Sequence, residues 1–385
     1  MSSSAFLHAA TLSHLAATRV SVSPSSPTSS SAAVTAAPAA ALSSMAASAR
    51  IAVVGDVHDQ WNLEEDTKAL QFLRCSRIWS YSQASYHFPH CPDRSNVSLT
   101  LIGICDFGNE NVELVQSIAD LQFPKAAILG NHDSWTTQQF SLNFDLLSFS
   151  LPFVRKKDRI QLQLESLGDE HVGYSRLDFS ELKISVVGGR PFSCGGDYLY
   201  RKKLLSARYG VQDMEGSARR IYNVALGTPE DNLVILLAHN GPTGLGSNLN
   251  DICGKDWSVG GGDHGDPDLA QALSRLKDSS NLHIPLIVFG HMHKQLAYRA
   301  GLRKMIVVGH DDTIYLNGAI VPRVKPVNRE PRATQESEGT LRAFTLVEIV
   351  EGRVEKIAET WVSVARDGGT AMAEELVLFD GKPLR

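Results

Sequence analysis

Eight side chains able to bind a metal ion follow short apolar runs at five separate places in the chain. They are Asp56, His58, Asp106, Asn131, His132, His239, His291 and His293. Apolar runs of about four to eight residues are typical of buried strands. In open α/β sheets, ligands bind just beyond the carboxyl ends of the strands. We therefore expect these side chains to meet at one edge of a sheet.

The donor types favour manganese, iron or zinc over calcium. Imidazole, carboxamide and carboxylate donors suit Mn²⁺, Fe and Zn²⁺, whereas Ca²⁺ is bound by oxygen alone. The donors also outnumber the needs of one ion, and two ions about 3.5–4 Å apart are a known device for phosphoryl chemistry. Each turn could arise by accident on its own. Glycine directly precedes the ligands at Gly55, Gly130 and Gly290, where it permits a tight turn and close backbone approach.

The segments between these motifs alternate between strand-like and helix-like patterns. Helical spacing of apolar residues predicts helices over 63–73, 213–226 and 267–276, and another after residue 112. Such alternation predicts an α/β fold with a largely parallel sheet and its loops at one edge. Residues 305–362 are rich in strand-like runs, and residues 366–385 are predicted to form a C-terminal tail.

Residues 75–104 do not follow this alternation. The segment mixes Ser, Tyr, His, Pro and Cys with no period of 2 or 3.6 until the apolar run at 99–104. A long structureless loop inside a compact domain is uncommon. We interpret 75–104 as an atypical insertion with little function, and a gene-model error is the alternative.

Residues 1–49 have a different composition from the rest of the chain. They are rich in Ser, Ala and Thr, contain no Asp, Glu or Lys, and carry only one charged side chain, Arg19. Such a segment buries too little apolar surface to become ordered. Its composition is typical of an organelle transit peptide. We predict import into the chloroplast stroma, with the mitochondrion as the alternative, and a low-complexity tail without an address as the third reading.

Bulk composition excludes several classes of protein. The 385 residues are 43% hydrophobic and 21% charged, which is typical of a soluble globular protein. The net charge of −5 gives no basic footprint, so a nucleic-acid partner is not expected. Five cysteines without a Cys-x-x-Cys pair argue against a disulfide framework and a zinc ribbon. No apolar run is long enough to cross a membrane.

Five motifs together resemble the signature blocks of the calcineurin-like metallophosphoesterases, in the same order. They are Gly55-Asp56-x-His58, Asp106-x-x-Asn109, Gly130-Asn131-His132-Asp133, His239 and Gly290-His291-x-His293. The sequences at 106–110 and 239–244 are most similar to the branch found in cyanobacteria and plant plastids. The resemblance implies a four-layer α/β/β/α sandwich, which we place at residues 50–365, with a two-metal site at the strand ends.

The resemblance also implies a role for each site residue. The first ion would be bound by Asp56, His58 and His293, and the second by Asn131, His239 and His291. Asp106 would bridge the two ions. His132 would contact the phosphate or protonate the leaving group, and Asp133 would orient His132 through a hydrogen bond that fixes its tautomer. Cys105 stands where the family usually has glycine, and this departure could misplace Asp106.

The implied activity is hydrolysis of a small phosphorylated substrate. A hydroxide shared by two divalent ions (Mn, Fe or Zn) would attack phosphorus. A catalytically impaired scaffold that binds protein partners is the alternative, and Cys105 favours it. A nuclease is disfavoured by the acidic charge balance. Arg190, after a strand ending in two glycines, is interpreted equally well as a phosphate contact or as a surface side chain. The loop at 263–266 is predicted to rim the pocket, with Asp266 as a helix N-cap.

Overall fold

Two β-sheets packed face to face carry the residues of interest. The computed structural model describes residues 48–75, 99–138, 157–327 and 339–381. Nearly all of the predicted transit peptide, most of the predicted insertion at 75–104 and residues 328–338 lie outside these residues. Strand β1 begins at Ser48, and Ser48 and Ala49 pair with Val350 and Ile349, so the first strand starts two residues before the predicted domain boundary.

The described part of the chain contains thirteen strands and six α-helices. In chain order they are β1 (Ser48–Gly55), α1 (Leu63–Cys75), β2 (Leu99–Cys105), α2 (Val112–Ala119), β3 (Lys125–Leu129), α3 (Arg159–Leu167), β4 (Arg176–Phe179), β5 (Ile184–Gly188), α4 (Lys202–Tyr209), α5 (Met214–Leu226), β6 (Leu233–Leu237), α6 (Pro267–Ser279), β7 (Leu286–Phe289), β8 (Ile306–Val308), β9 (Ile314–Asn317), β10 (Val324–Pro326), β11 (Gly339–Val350), β12 (Arg353–Ala365) and β13 (Thr370–Asp380). Short 3-10 helices follow β3 (His132–Ser134) and α3 (Gly168–Glu170).

Both sheets are mixed rather than largely parallel as predicted: among the described strands five pairs are parallel and six are antiparallel, and the parallel strands include those followed by the predicted ligands. In the first sheet the order is β13-β12-β11-β1-β2-β3, with β10 paired to β11, and β1, β2 and β3 run parallel. In the second sheet the order is β4-β5-β6-β7-β9-β8, and β5, β6, β7 and β9 run parallel. The carboxyl ends of parallel strands lie at one edge of each sheet, where open α/β sheets bind their ligands.

The core has the four layers that the sequence predicts. Alternate residues of β1 face opposite sides: Ile51 and Val53 pack between the sheets, whereas Ala52 and Val54 pack against the helices. The core between the sheets joins residues of β1, β2 and β3 to residues of β5, β6, β7 and β9. Helices α1 to α6 bury their apolar stripes on the outer faces. The α/β/β/α sandwich is therefore confirmed.

Most predicted elements occur in the structure, and four further ones were not predicted. Helix α5 begins after Asp213, whose side chain caps it by accepting from the amide of Gly216 at 2.7 Å. Helices α3 and α4 and strands β10 and β13 did not emerge from the sequence patterns. Strand β13 lies within the predicted C-terminal tail and pairs with β12 along most of its length. Among the residues described, no helix combines the length and apolar character of a membrane span.

Candidate metal centre

Tight turns at the ends of β1 and β7 bring the first group of ligands together. A side chain at Gly55 would place its Cβ 2.6 Å from the carbonyl oxygen of Gly318, so only glycine fits at the end of β1. Asp56 and His58 then adopt φ values of 44° and 43°, and His291 adopts 65°. Left-handed backbone at residues other than glycine is strained and concentrates at functional sites. These backbone conformations direct the three side chains toward the same place.

Asp56, His58 and His293 form the first cluster. Their nearest ligand atoms all lie within 4.8 Å of one another. The Nε2 atoms of His58 and His293 are 2.9 Å apart, and Nε2 of His293 is 3.3 Å from Oδ2 of Asp56. The other oxygen of Asp56 accepts a hydrogen bond from the backbone amide of His291 at 3.1 Å. This bond leaves Oδ2 of Asp56 directed at the imidazoles.

Asp106, His239 and His291 form the second cluster, again within 4.8 Å. Nε2 of His239 lies 3.5 Å from Oδ2 of Asp106 and 3.0 Å from Oδ1 of Asn131. Asn131 thereby joins this cluster as the predicted carboxamide donor. A third grouping contains His58, Asp106 and His132, so Asp106 of the second cluster also lies close to His58 of the first. The structure brings together all seven residues predicted to bind metal.

The charges of the centre fit a bound cation. The Oδ2 atom of Asp56 and the Nδ1 atom of His239 are buried and have no hydrogen-bond partner among the described residues. Burial and the neighbouring charges of Asp56 and Asp133 raise the pKa of Asp106 well above its ordinary value. Burial lowers the pKa of His239 to about 4, which keeps it in the neutral form that binds metal. A divalent cation would relieve the crowding of negative charge.

Backbone hydrogen bonds connect neighbouring strand-end loops within each sheet. The amide of His58 donates to the carbonyl of Asp106 at 2.8 Å, and the amide of Gly290 donates to that of His239 at 2.9 Å. The backbone of Cys105 pairs with Leu129 in the parallel ladder of β2 and β3. The cysteine therefore does not displace Asp106. The amide of His132 donates to Oδ1 of Asp106 at 2.9 Å, which orients the carboxylate.

His132 is held by residues other than the predicted one. Its Nδ1 lies 2.7 Å from Oδ1 of Asn109, and its ring stacks on Trp135 with centroids 4.5 Å apart. Arg201 stabilises the turn that follows His132 by donating to the carbonyl oxygens of Ser134 and Trp135 at 2.7 and 2.5 Å. Asn109 is part of the second sequence motif, and this position was the one feature of the sequence that could have indicated its contact with His132. Nothing in the sequence pattern marks Arg201.

The predicted contact between Asp133 and His132 is wrong. The carboxylate of Asp133 accepts from the backbone amides of Phe107 and Gly130 at 3.0 and 2.8 Å, and the residue is fully buried. The 3-10 helix that begins at His132 turns successive side chains to different sides, which sends Asp133 into the protein interior. Its role is to join the turns after β2 and β3.

Two weaker predictions also changed. Arg190 is neither a phosphate contact nor a surface side chain: it is 1% exposed and forms ion pairs with Asp266 and Asp268 at 2.8 and 3.0 Å. Asp266 occupies the N-cap position of α6, although its side chain makes no capping bond because it faces Arg190. The ring of His264 lies 5.9 Å from that of His291, which places the loop at 263–266 beside one of the candidate ligands.

Comparison with known proteins gives a family match. The family model for calcineurin-like phosphoesterases matches residues 49–295, which is more than half of the chain. A purple acid phosphatase isolated from yellow lupin (Lupinus luteus) seeds is similar in structure, with a TM-score of 0.38 and 11% sequence identity. That alignment covers 86% of this chain and 53% of the lupin protein, so this chain spans about half of the lupin protein's length. No curated protein matches the chain.

Proposed function

Because the chain belongs to the calcineurin-like phosphoesterase family, we propose that it hydrolyses a small phosphorylated substrate at a centre of two divalent ions. The observation that supports this is the overlap of ligand clusters around Asp106. One cluster contains Asp56, His58 and His293, and another contains Asp106, His239 and His291. Asp106 also groups with His58 and His132, so it connects the second set of donors with the first, and two linked sets of donors suit two ions better than one. The donor types suit Mn, Fe or Zn.

The residues around the centre have separable tasks. When bound, the two ions supply a hydroxide nucleophile near neutral pH and neutralise the phosphoryl oxygens. Asp106 groups with His239 and His291 and also with His58, and the amide of His132 orients its carboxylate. Asn109 accepts from Nδ1 of His132, which assigns the Nδ1–H tautomer to the neutral ring and leaves Nε2 facing the centre, 4.0 Å from Asp106. From there, Nε2 in its protonated form would donate to the leaving oxygen.

A panel of phosphoesters tests the proposal. The full-length chain would be supplied with Mn²⁺, Fe²⁺ or Zn²⁺ and assayed on phosphomonoesters and phosphodiesters. We expect turnover with at least one ion and its loss in His239→Ala. His283→Ala is the matched control, because His283 is an exposed histidine that pairs with the carbonyl of Gly352 outside the centre. Metal uptake by the wild type without hydrolysis of any ester would instead support a scaffold that binds protein partners.

We also propose that residues 1–49 direct the chain to the chloroplast stroma. Their acid-free, Ser-rich composition supports this address. A fluorescent protein fused after residue 49 should enter chloroplasts in plant cells. Entry into mitochondria would favour the alternative address, and a diffuse cytosolic signal would contradict both.

A further inference from the structure

Arg303 is a buried residue whose side chain contacts the backbone of His293. It lies between β7 and β8 and is 5% exposed. Its Nε donates to the backbone carbonyl of His293 at 3.0 Å, and its own amide donates to the carbonyl of Lys294 at 2.8 Å. The side chain therefore contacts the peptide that follows a predicted metal ligand.

The other end of the same guanidinium holds a different segment of the chain. Nη1 donates to the carbonyls of Asp251 and Gly254 at 2.9 and 2.6 Å, and Nη2 lies 3.6 Å from Oδ1 of Asp256. These three residues belong to the long connection between β6 and α6, which also carries His264 beside His291. Loops of this length without secondary structure of their own are uncommon in compact domains and are usually either functional or linkers.

Few other side chains could make these contacts. Arginine presents five donors in a rigid plane, whereas lysine presents one ammonium group at the end of a flexible chain. Burial lowers the pKa of Arg303, and the nearby carboxylate of Asp256 opposes this shift, so the cation is held at a cost in desolvation. The planar guanidinium group of Arg303 thus joins the backbone of His293 to the 251–256 segment, and no other side chain has donors in this arrangement.

We propose that Arg303 is a positioning residue for the metal centre. Its hydrogen bond would fix the position of the His293 backbone, from which the imidazole reaches the first ion. This inference rests on the proposed function. Outer partners of metal-binding residues typically contribute about 10- to 100-fold in metal affinity. The effect should fall mainly on the first ion, because Arg303 contacts the backbone of His293 directly, whereas it reaches His291 only through the connection that carries His264.

Calorimetric titration of the metal-free full-length chain with Mn²⁺ tests this directly. We expect two binding events in the wild type. In Arg303→Lys, the backbone bond from residue 303 to Lys294 and the charge beside Asp256 persist, so only the forked contacts are removed. One event should weaken by about tenfold or more and the other should change little. Arg303→Gln, which keeps a donor but no charge, serves as a second variant should the first not fold.

Lys304→Met is the matched control. Lys304 is the next residue and pairs with Asp251 at 2.8 Å, so it also ties down the long connection, but it is half exposed and does not contact His293. We expect wild-type Mn²⁺ binding in this variant. Unchanged titration of Arg303→Lys, or equal weakening by Lys304→Met, would overturn the inference. A wild type that binds Mn²⁺ but hydrolyses no ester would contradict the proposed function alone, since the titration does not depend on turnover.

Discussion

Two buried carboxylates dominate the centre at the scale of single residues. Asp56 and Asp106 are 1% and 2% exposed, and their ion pairs in the described structure are all with histidines. An ionised carboxylate buried without a cation is costly, and no Lys or Arg among the described residues pairs with either side chain, so both suit a site for a bound cation. The sequence revealed these residues because ligand type and spacing belong to the motif.

Asn109 provides a test of how His132 is held. Asn109→Ala removes the acceptor for Nδ1, so the imidazole loses its orientation and its favoured tautomer. We expect kcat to fall about 10- to 100-fold on an alkyl phosphate monoester, whose leaving oxygen needs a proton. The loss should be small on p-nitrophenyl phosphate, because nitrophenolate leaves without one.

Asn109→Asp is the control for this substitution, because it retains an oxygen acceptor at the same place. It should keep most of the activity on both esters, with Mn²⁺ uptake equal in all three proteins. Equal losses on both esters in Asn109→Ala would show that Asn109 supports the centre in another way than through proton donation by His132.

His171 predicts a pH dependence of stability outside the centre. Burial lowers its pKa to about 3, and its Nε2 has no hydrogen-bond partner among described residues. The unfolded chain, with a pKa near 6.5, therefore binds more protons at intermediate pH, and stability falls as the pH drops below about 6.5 toward 3. Between pH 7.5 and 5.5 this histidine should account for about 1 kcal/mol of lost unfolding free energy.

Urea denaturation at the two pH values measures this contribution. His171→Gln cannot titrate, so its unfolding free energy should fall by about 1 kcal/mol less than that of the wild type over the same interval. The comparison is between differences, so contributions from the other histidines cancel. An identical pH dependence in both proteins would mean that His171 becomes protonated in the folded state.

At the scale of elements, a buried ion network fixes helix α1 to the first sheet. Asp66 of α1 is fully buried and accepts from Arg323 and from Arg342 of β11 at 2.7 and 2.5 Å. Glu65 accepts from the same Arg342. Because β11 is the neighbour of β1, the network supports the strand whose end carries Asp56 and His58.

Asp66→Ala should therefore destabilise the protein strongly. It leaves two buried guanidinium groups without their shared carboxylate, and loss of one partner of a buried ion pair typically costs about 3–5 kcal/mol. Glu64→Ala is the control from the same helical turn, where the pair with Lys68 is largely exposed and its loss should be hard to detect. Urea midpoints of the two variants give the comparison, and a small effect of Asp66→Ala would show that the network is not needed for stability.

Burial of one face explains most of the predicted elements, although helix α3 was missed while it buries Ile160, Leu164 and Leu167. Helices α1, α5 and α6 show apolar residues at helical spacing, and the periodicity placed them correctly. Strand β13 is exposed along most of its length, so no alternation of apolar and polar residues marks it. Helix α4 buries only Leu204 and Leu205, and its N-cap residue, Arg201, offers no capping side chain. Burial produces the pattern, so elements without burial leave little trace in the sequence.

At the scale of the whole molecule, the proposed ions would join the two sheets. Asp56 and His58 follow β1 in the first sheet, whereas His293 follows β7 in the second. In the second cluster, Asp106 follows β2 and His239 follows β6. Sequence order could identify these ligands, but not that each cluster spans both sheets, because the pairing of sheets depends on packing between distant segments.

Removal of metal should consequently loosen the sandwich as a whole. An ion that binds only the folded state stabilises it by about 2.7 kcal/mol at a concentration one hundred times its dissociation constant. We expect EDTA to lower the Tm of the wild type by several degrees and excess Mn²⁺ to restore it. Asp106→Ala lacks the carboxylate between the two clusters, so EDTA should change its Tm much less. An equal shift in Asp106→Ala would mean that the stabilising ion binds elsewhere, and the two sheets would then be joined by their apolar core alone.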